Sequence, residues 1–97
     1  MKDFLNLLYS NKSTLNINKR QENEKKFPTY EELPDGGRTY WFEIEVRMGW
    51  KARYVKTVDL NEATVSFRQE IYNENGVLVE IHEKYPIDNG HIKIENP

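Results

Sequence analysis

A regular alternation of apolar and polar residues, from about Arg38 to Glu95, most constrains the fold of this 97-residue chain. A period of two places successive side chains on opposite faces of a β-strand. Short turn signals interrupt the alternation and divide it into strands that follow one another along the chain. The pattern therefore predicts an antiparallel meander of five strands, over residues 38–48, 50–58, 63–72, 77–85 and 91–95.

The part of the chain before the sheet has a different character. Residues 3–9 present one apolar side and predict a short helix, which is marginal in water unless it docks on something. Residues 10–26 are mostly polar and predict a loop, or a helix from Ser13 onward that only partly forms. We expect an α+β fold in which a short N-terminal helix and an irregular polar segment precede the sheet. The length fits a single domain over 1–97, divided into residues 1–37 and residues 38–97.

Composition and charge exclude several classes of protein. The chain has no cysteine, which excludes disulfides and thiolate metal sites and is typical of a reducing cytoplasm. The formal net charge is -2, so no bulk electrostatic field favours nucleic acid. The apolar run at the N-terminus is too short for a signal peptide or a membrane span. No glycine-rich phosphate-binding motif is present, and we expect a cytoplasmic protein with no cofactor.

The segment Asn73-Glu74-Asn75-Gly76 predicts the register of one hairpin. It matches a type I turn followed by a glycine in the left-handed conformation, which only glycine adopts without steric cost. This loop places Ile71 opposite Val79. A two-residue turn would instead set Ile71 opposite Glu80 and mix apolar with charged side chains on both faces. We therefore expect the first register.

Two further registers follow from the other turns. A loop around Gly49 predicts that Ile44 lies opposite Tyr54. A four-residue loop at 59–62 predicts that Tyr54 lies opposite Phe67. Three hairpins then share one apolar face.

In these registers, six polar side chains form two adjacent rows on the other face. Two guanidinium groups and an imidazole in one row suit a phosphate, and glutamates beside the histidine are candidates for general acid and base. The alternative is a solvated face of exposed ion pairs, each contributing about 0–1 kcal/mol. The predicted anion-binding residues are Arg53, Arg68 and Lys51, and the predicted catalytic residues are His82, Glu80 and Glu70.

Other patterns on this face carry less information. Glu80 and His82, with His91 as a third ligand, form a weak metal pattern that is also common on charged sheets, and we predict no metal site. Trp41 and Tyr72 fall among the polar positions. Either they stack on nucleic-acid bases, or a loop covers them.

The end of the chain has a recognisable order of elements. A strand, an Asn-Gly turn and a second strand run from Ile71 to His82, and Tyr85-Pro86-Ile87-Asp88 and Gly90-His91 follow. This order resembles small uncharacterised prokaryotic β-rich proteins, including the TumE-like toxins of toxin–antitoxin pairs. The resemblance implies a ribonuclease-like or translation-directed toxin with a protein antitoxin as its partner. Those toxins carry more histidines after the proline, where this chain has only His91.

The sequence favours a small binding or interaction domain whose polar sheet face recognises an anion, such as RNA phosphate. One alternative is a metal-independent ribonuclease-like toxin that uses the arginines, glutamates and histidine named above. The other is an oligomerising or adaptor protein that pairs through an edge strand such as 91–95 and has no small-molecule site. The corresponding partners are RNA, another protein or a second copy of the chain.

Overall fold

The computed structural model describes residues 17–94. A helix, α1, covers residues 17–26, and six strands follow in a single antiparallel sheet. Each strand pairs with the strand before it in the chain, so the predicted α+β meander is confirmed. The predicted helix over 3–9 lies outside the described residues. The strands are β1 (Thr29–Glu32), β2 (Arg38–Arg47), β3 (Trp50–Val58), β4 (Thr64–Tyr72), β5 (Leu78–Tyr85) and β6 (Gly90–Lys93).

The sheet has one strand more than the alternation predicted. β1 is a four-residue edge strand that places Tyr30 opposite Tyr40 and Glu32 opposite Arg38. Prolines Pro28 and Pro34 flank it, which an edge strand tolerates because it pairs on one side only. A strand of four residues is too short to show a clear alternation, so it had no signal in the sequence.

Helix α1 covers part of one face of the sheet. This face carries Tyr40, Phe42, Tyr54 and Phe67, and we call it the aromatic face. Phe27, immediately after α1, is buried against Tyr40 and Val58 and forms a small core with them. The rings of Phe42 and Tyr54 stack with centroids 5.0 Å apart, which extends this core along the sheet.

The carboxylate of Glu62 joins α1 to the sheet. Its side chain is fully buried, and it accepts hydrogen bonds from Tyr40 Oη at 2.6 Å, Asn23 Nδ2 at 3.0 Å and Arg20 Nε at 3.0 Å. Burial alone would raise the pKa of Glu62, but the three hydrogen bonds outweigh burial and hold the pKa below its ordinary value. Burial and the bond to Glu62 raise the pKa of Tyr40 to about 12.

Arg38 makes a second connection between α1 and the sheet. Its buried guanidinium donates from Nη1 to Glu24 Oε2 at 2.8 Å and from Nη2 to Glu32 Oε1 at 3.2 Å. The guanidinium carbon also lies 3.9 Å from the centroid of the Tyr30 ring. One side chain of β2 therefore contacts both α1 and β1.

The loop between β4 and β5 has the predicted conformation. Gly76 has a φ of 78°, and its N–H donates to the carbonyl of Asn73 at 2.9 Å. The register beyond the loop differs from the prediction, because Val79 forms a β-bulge and Ile71 lies opposite Glu80. The predicted pairing of Ile71 with Val79 is wrong. One extra residue in a strand exchanges the faces of the residues that follow it, here 80–83. A second irregularity before Tyr85 returns that side chain to its predicted face, opposite Phe67.

The two other predicted registers are also wrong, but they are displaced by two residues, which preserves the faces. Tyr54 lies opposite Phe42 and Gln69 instead of Ile44 and Phe67. Irregularities near Gly49 and near Val58 account for the displacement.

The observed registers bring opposite charges together. Arg53 lies between Glu43 on β2 and Glu70 on β4, whereas the predicted register set it against Arg68. Arg68 in turn faces Glu83. Like charges directly opposite one another destabilise a sheet and opposite charges stabilise it, which favours the observed alignment.

Within residues 17–94, no helix combines the length and the apolar character that crossing a bilayer requires.

Replacement of Glu62 by glutamine tests the connection between α1 and the sheet. The amide has no charge to balance Arg20. Its NH₂ group is also a donor, and it would lie against groups that donate to the carboxylate in the wild type. We expect the free energy of unfolding, measured by urea denaturation at pH 7, to fall by about 2–3 kcal/mol. Glu31→Gln, on the exposed strand β1, is the control and should change it by less than about 0.5 kcal/mol.

The pH dependence has a defined sign. The pKa of Glu62 is depressed in the folded state. Its contribution to the free energy of unfolding is therefore complete above the pKa that it has in the unfolded state. That contribution disappears as the pH falls through the folded-state pKa, and the difference between wild type and Glu62→Gln should shrink on acidification. Equal stability of the two proteins at neutral pH would contradict the assigned role.

Candidate functional site

The sheet divides the predicted site residues between its two faces. Arg53, Arg68 and Glu70 lie on the face opposite α1, together with Lys51 and Glu43. We call this the charged face. The bulge at Val79 turns His82 and Glu80 to the aromatic face, where His82 lies opposite Gln69 and Glu80 lies opposite Ile71. The predicted row of Arg53, Arg68 and His82 is therefore not formed, and the placement of Glu70 beside Glu80 is wrong for the same reason.

On the charged face, carboxylates already bind both arginines. Arg53 donates to Glu43 Oε2 from Nη2 at 2.6 Å and from Nε at 2.9 Å. This hydrogen bond to Glu43 is the main reason that the pKa of Arg53 is raised. Arg68 Nε donates to Glu70 Oε2 at 2.6 Å, and Glu70 is buried. A phosphate at either arginine would have to displace an existing ion pair.

The remaining residues of the charged face fit this arrangement. Tyr72 donates its hydroxyl to Glu70 Oε1 at 2.7 Å, and the guanidinium carbon of Arg53 lies 5.3 Å from the centroid of its ring. Lys51 is exposed and lies opposite Tyr72 and Glu45. Tyr72 is thus fixed by polar contacts on its own face. Trp41, also on this face, is half-buried.

His82 contacts the turn between β5 and β6. Its Nε2 lies 2.6 Å from Asp88 Oδ1, and the same oxygen accepts the N–H of Gly90 at 2.9 Å. The Gly90 bond, followed by the bond to His82, lowers the pKa of Asp88. The Nδ1 atom of His82 is buried and has no hydrogen-bond partner in the part of the chain described. A proton on Nδ1 would be a buried unsatisfied donor, so the tautomer protonated at Nε2 fits this environment.

His91 stands beside His82 with its own carboxylate partner. The two ring centroids are 4.4 Å apart, and His91 Nδ1 lies 2.7 Å from Glu80 Oε1. The predicted catalytic set of His82, Glu80 and Glu70 is separated, because Glu70 lies on the charged face. Among the residues from 17 to 94, no group of three or more His, Asp or Glu side chains has an arrangement that could hold a metal ion.

The contact between His82 and Asp88 predicts a structural role that exchange measurements test. In Asp88→Ala, the amide of Gly90 loses its acceptor, and we expect its hydrogen exchange to become faster. His82→Ala should accelerate exchange at the same turn. Because the pKa of Asp88 is depressed in the folded state, the protection is complete above the unfolded-state pKa of this aspartate and declines as the pH falls through the folded-state pKa.

Lys93→Ala, an exposed position on β6, is the matched control and should leave the turn unchanged. Unaltered exchange at Gly90 in both test variants would contradict the role of these two residues.

An open cleft lies on the aromatic face beside α1. The cleft has a volume of about 910 Å³, and it forms because α1 leaves the end of the face near Phe67 and Tyr85 uncovered. Aromatic rings form much of its surface, and three lysines contribute to its wall. Its principal lining residues are Phe27, Phe42, Phe67, Tyr85, Lys56 and Asn23, and we call it the aromatic cleft.

Lys56 is the polar group of the aromatic cleft with the most unusual environment. Its Nζ donates to Asn23 Oδ1 at 2.8 Å, and no carboxylate within residues 17–94 lies within 4.0 Å of it. Burial, and then the charge of Lys26, lower the pKa of Lys56, while the charges of Glu62 and Glu22 oppose this shift. The side chain is therefore a partly desolvated cation with a neutral partner.

Sequence reasoning missed Lys56, although a signal was present. In β3 the apolar positions follow a period of two, and Lys56 occupies one of them between Tyr54 and Val58. A lysine on the apolar face of a strand needs a polar partner or a ligand. The identity of that partner depended on α1, which the sequence placed only as an alternative to a loop.

The resemblance to TumE-like toxins stays a hypothesis. The residues predicted for ribonuclease chemistry lie on opposite faces of the sheet. No family model, curated protein or solved structure matches this chain.

Proposed function

We propose that this chain is a protein-interaction module that binds a short, acidic, amphipathic segment of a partner protein in the aromatic cleft. The observation that carries the proposal is the open cleft of about 910 Å³ between α1 and the sheet, with Phe42 and Phe67 on its surface. Small-molecule pockets usually enclose most of the ligand surface. An open groove with an apolar surface suits a helix or an extended segment that inserts a few side chains.

The charges around the aromatic cleft support an acidic partner. Lys19, Lys26 and Lys56 line it, together with the carboxylates of Glu22 and Glu62. The charge of Glu62 is already balanced by Arg20, and its carboxylate also accepts hydrogen bonds from Asn23 and Tyr40. An excess of positive charge therefore faces the cleft and favours a segment that carries Asp or Glu.

The choice of a peptide over RNA rests on the two arginines of the charged face, both of which are already paired. On the charged face, Glu43 binds Arg53 and Glu70 binds Arg68, so phosphate recognition there would have to break two ion pairs. The aromatic cleft combines lysines with ring surfaces that an inserted apolar side chain contacts. Burial of one such side chain contributes about 1.5–3 kcal/mol, so a short segment that inserts two gains about 3–6 kcal/mol before the cost of association. Micromolar binding requires about 8 kcal/mol, so we expect dissociation constants above the micromolar range.

Selection of peptides against the full chain tests this proposal. A phage-displayed library of random peptides is the probe, and fluorescence anisotropy with labelled synthetic peptides gives the dissociation constants. We expect the selected peptides to combine aromatic or aliphatic residues with Asp or Glu. Phe67→Ser should weaken their binding at least about tenfold, since one buried ring contributes more than the 1.4 kcal/mol that a tenfold change requires. Ile92→Ser is the control, because Ile92 is 50% exposed and lies on the charged face.

Chemical-shift perturbation in the wild-type chain locates the binding site independently of the variant, so the test still holds if Phe67→Ser fails to fold. Selected peptides should shift the resonances of Phe27, Phe42 and Phe67 more than those of Trp41 or Tyr72. Peptides that bind Phe67→Ser as tightly as wild type and shift the charged face would overturn the proposal. So would RNA oligonucleotides that bind more tightly than any selected peptide, or a selection that yields no peptide tighter than about 1 mM.

A further inference from the structure

We infer that Lys56 binds a carboxylate of the partner segment inside the aromatic cleft and makes the module specific for an acid over its amide. This inference rests on the proposed function and names the group of the partner that is recognised. Either an acidic side chain or the C-terminus of the segment can supply this carboxylate.

A chain of hydrogen bonds holds Lys56 in position. Glu62 accepts from the amide Nδ2 of Asn23, which leaves Asn23 Oδ1 to accept from Lys56 Nζ at 2.8 Å. The orientation of the Asn23 amide is thus fixed from one side by a buried carboxylate. An ammonium group has three N–H donors, and the bond to Asn23 uses one of them. Two donors remain for a ligand that enters the aromatic cleft.

The charge of Lys56 has no ion-pair partner within residues 17–94. Glu62 contributes to the local potential, but Arg20 Nε at 3.0 Å already pairs with it. A carboxylate that enters the aromatic cleft would supply the missing negative charge. Because Lys56 is partly desolvated before binding, part of the cost of forming a buried ion pair has been met by folding.

The surroundings make this lysine different from the others near the cleft. Lys19 and Lys26 line the cleft from α1 but are exposed to solvent, where ion pairs contribute little. Lys56 emerges from the sheet between the aromatic groups that line the cleft, where water is partly excluded. A charge-assisted hydrogen bond is stronger in such surroundings than at the surface. We therefore expect discrimination between acid and amide to depend on Lys56 and only weakly on the other two lysines.

Binding of a carboxylate at this position has a consequence for pH dependence. Burial and Lys26 lower the pKa of free Lys56, with Glu62 and Glu22 opposing, and an anion beside the ammonium would raise that pKa. The complex then holds a proton more tightly than the free module does. Affinity should therefore be highest between the pKa of the partner's carboxylate and that of free Lys56, and it should fall as the pH rises through the latter.

The experiment uses peptides that bind the wild-type chain in the aromatic cleft. Each Asp or Glu is replaced in turn by Asn or Gln, and the C-terminus is prepared as an acid and as an amide, which separates the two sources of a carboxylate. The protein variants are Lys56→Met, which keeps the length and removes the charge, and Lys51→Met, the control on the charged face. Urea denaturation verifies that both variants fold.

We expect one of these carboxylate replacements to weaken binding to the wild type about 10–30-fold. The same replacement should change binding to Lys56→Met less than about twofold, because the two changes remove the same interaction. Lys51→Met should behave as the wild type. The decline of affinity at high pH should be present in the wild type and absent in Lys56→Met.

Equal losses on carboxylate replacement in wild type and Lys56→Met would overturn the inference, as would peptides for which no replacement matters. If binding still depends on Phe67 in that case, the proposed function stands and only the role of Lys56 fails. If the selected peptides bind independently of Phe67, the proposed function fails as well. The two failures are therefore distinguished by the Phe67→Ser and Lys56→Met variants measured with one set of peptides.

Discussion

The buried carboxylate of Glu62 determines how the helix and the sheet are arranged. It accepts hydrogen bonds from Arg20 and Asn23 of α1 and from Tyr40 of β2, so a single group fixes the helix against the aromatic face. A small core of Phe27, Tyr40 and Val58 packs beside it, which is modest for a domain of this size. Because apolar burial is limited, the hydrogen-bonded polar groups under the helix have a large share in specifying its position.

A single extra residue in β5 determines which side chains share a surface. The bulge at Val79 turns Glu80 and His82 toward the aromatic face and leaves Arg53 and Arg68 on the other. Opposite charges then meet across the strands of the charged face. The histidines on the aromatic face each contact a carboxylate, His82 that of Asp88 in the turn between β5 and β6 and His91 that of Glu80 on β5. The two arginines and the two histidines are therefore already paired, whereas Lys56 in the aromatic cleft has no carboxylate within 4.0 Å among residues 17–94.

The aromatic cleft follows from the position of α1 and from the meander. Within residues 17–94, α1 covers the face near Tyr40 and leaves the end near Phe67 and Tyr85 open. The same Asn23 that binds Glu62 also positions Lys56 in this opening. Asn23 therefore has a structural and a binding role. A change that releases α1 from Glu62 would also remove Asn23 from Lys56, the lysine that we propose binds the partner protein.

Much of the architecture could be predicted from local sequence, and the candidate site could not. Alternation placed Tyr40, Phe42 and Tyr54 on one face, and Gly76 marked a turn because only glycine enters its left-handed conformation without steric cost. The bulge at Val79, the edge strand β1 and the partner of Lys56 had no such signal. Strand alternation and turn geometry depend on neighbouring residues, and a sequence displays these directly. The partner of a buried charge can lie far along the chain, as Asn23 lies 33 residues from Lys56, and only the folded chain brings such residues together. The alignment of two strands depends on how the side chains of both faces pack at once, which the turn residues alone do not specify.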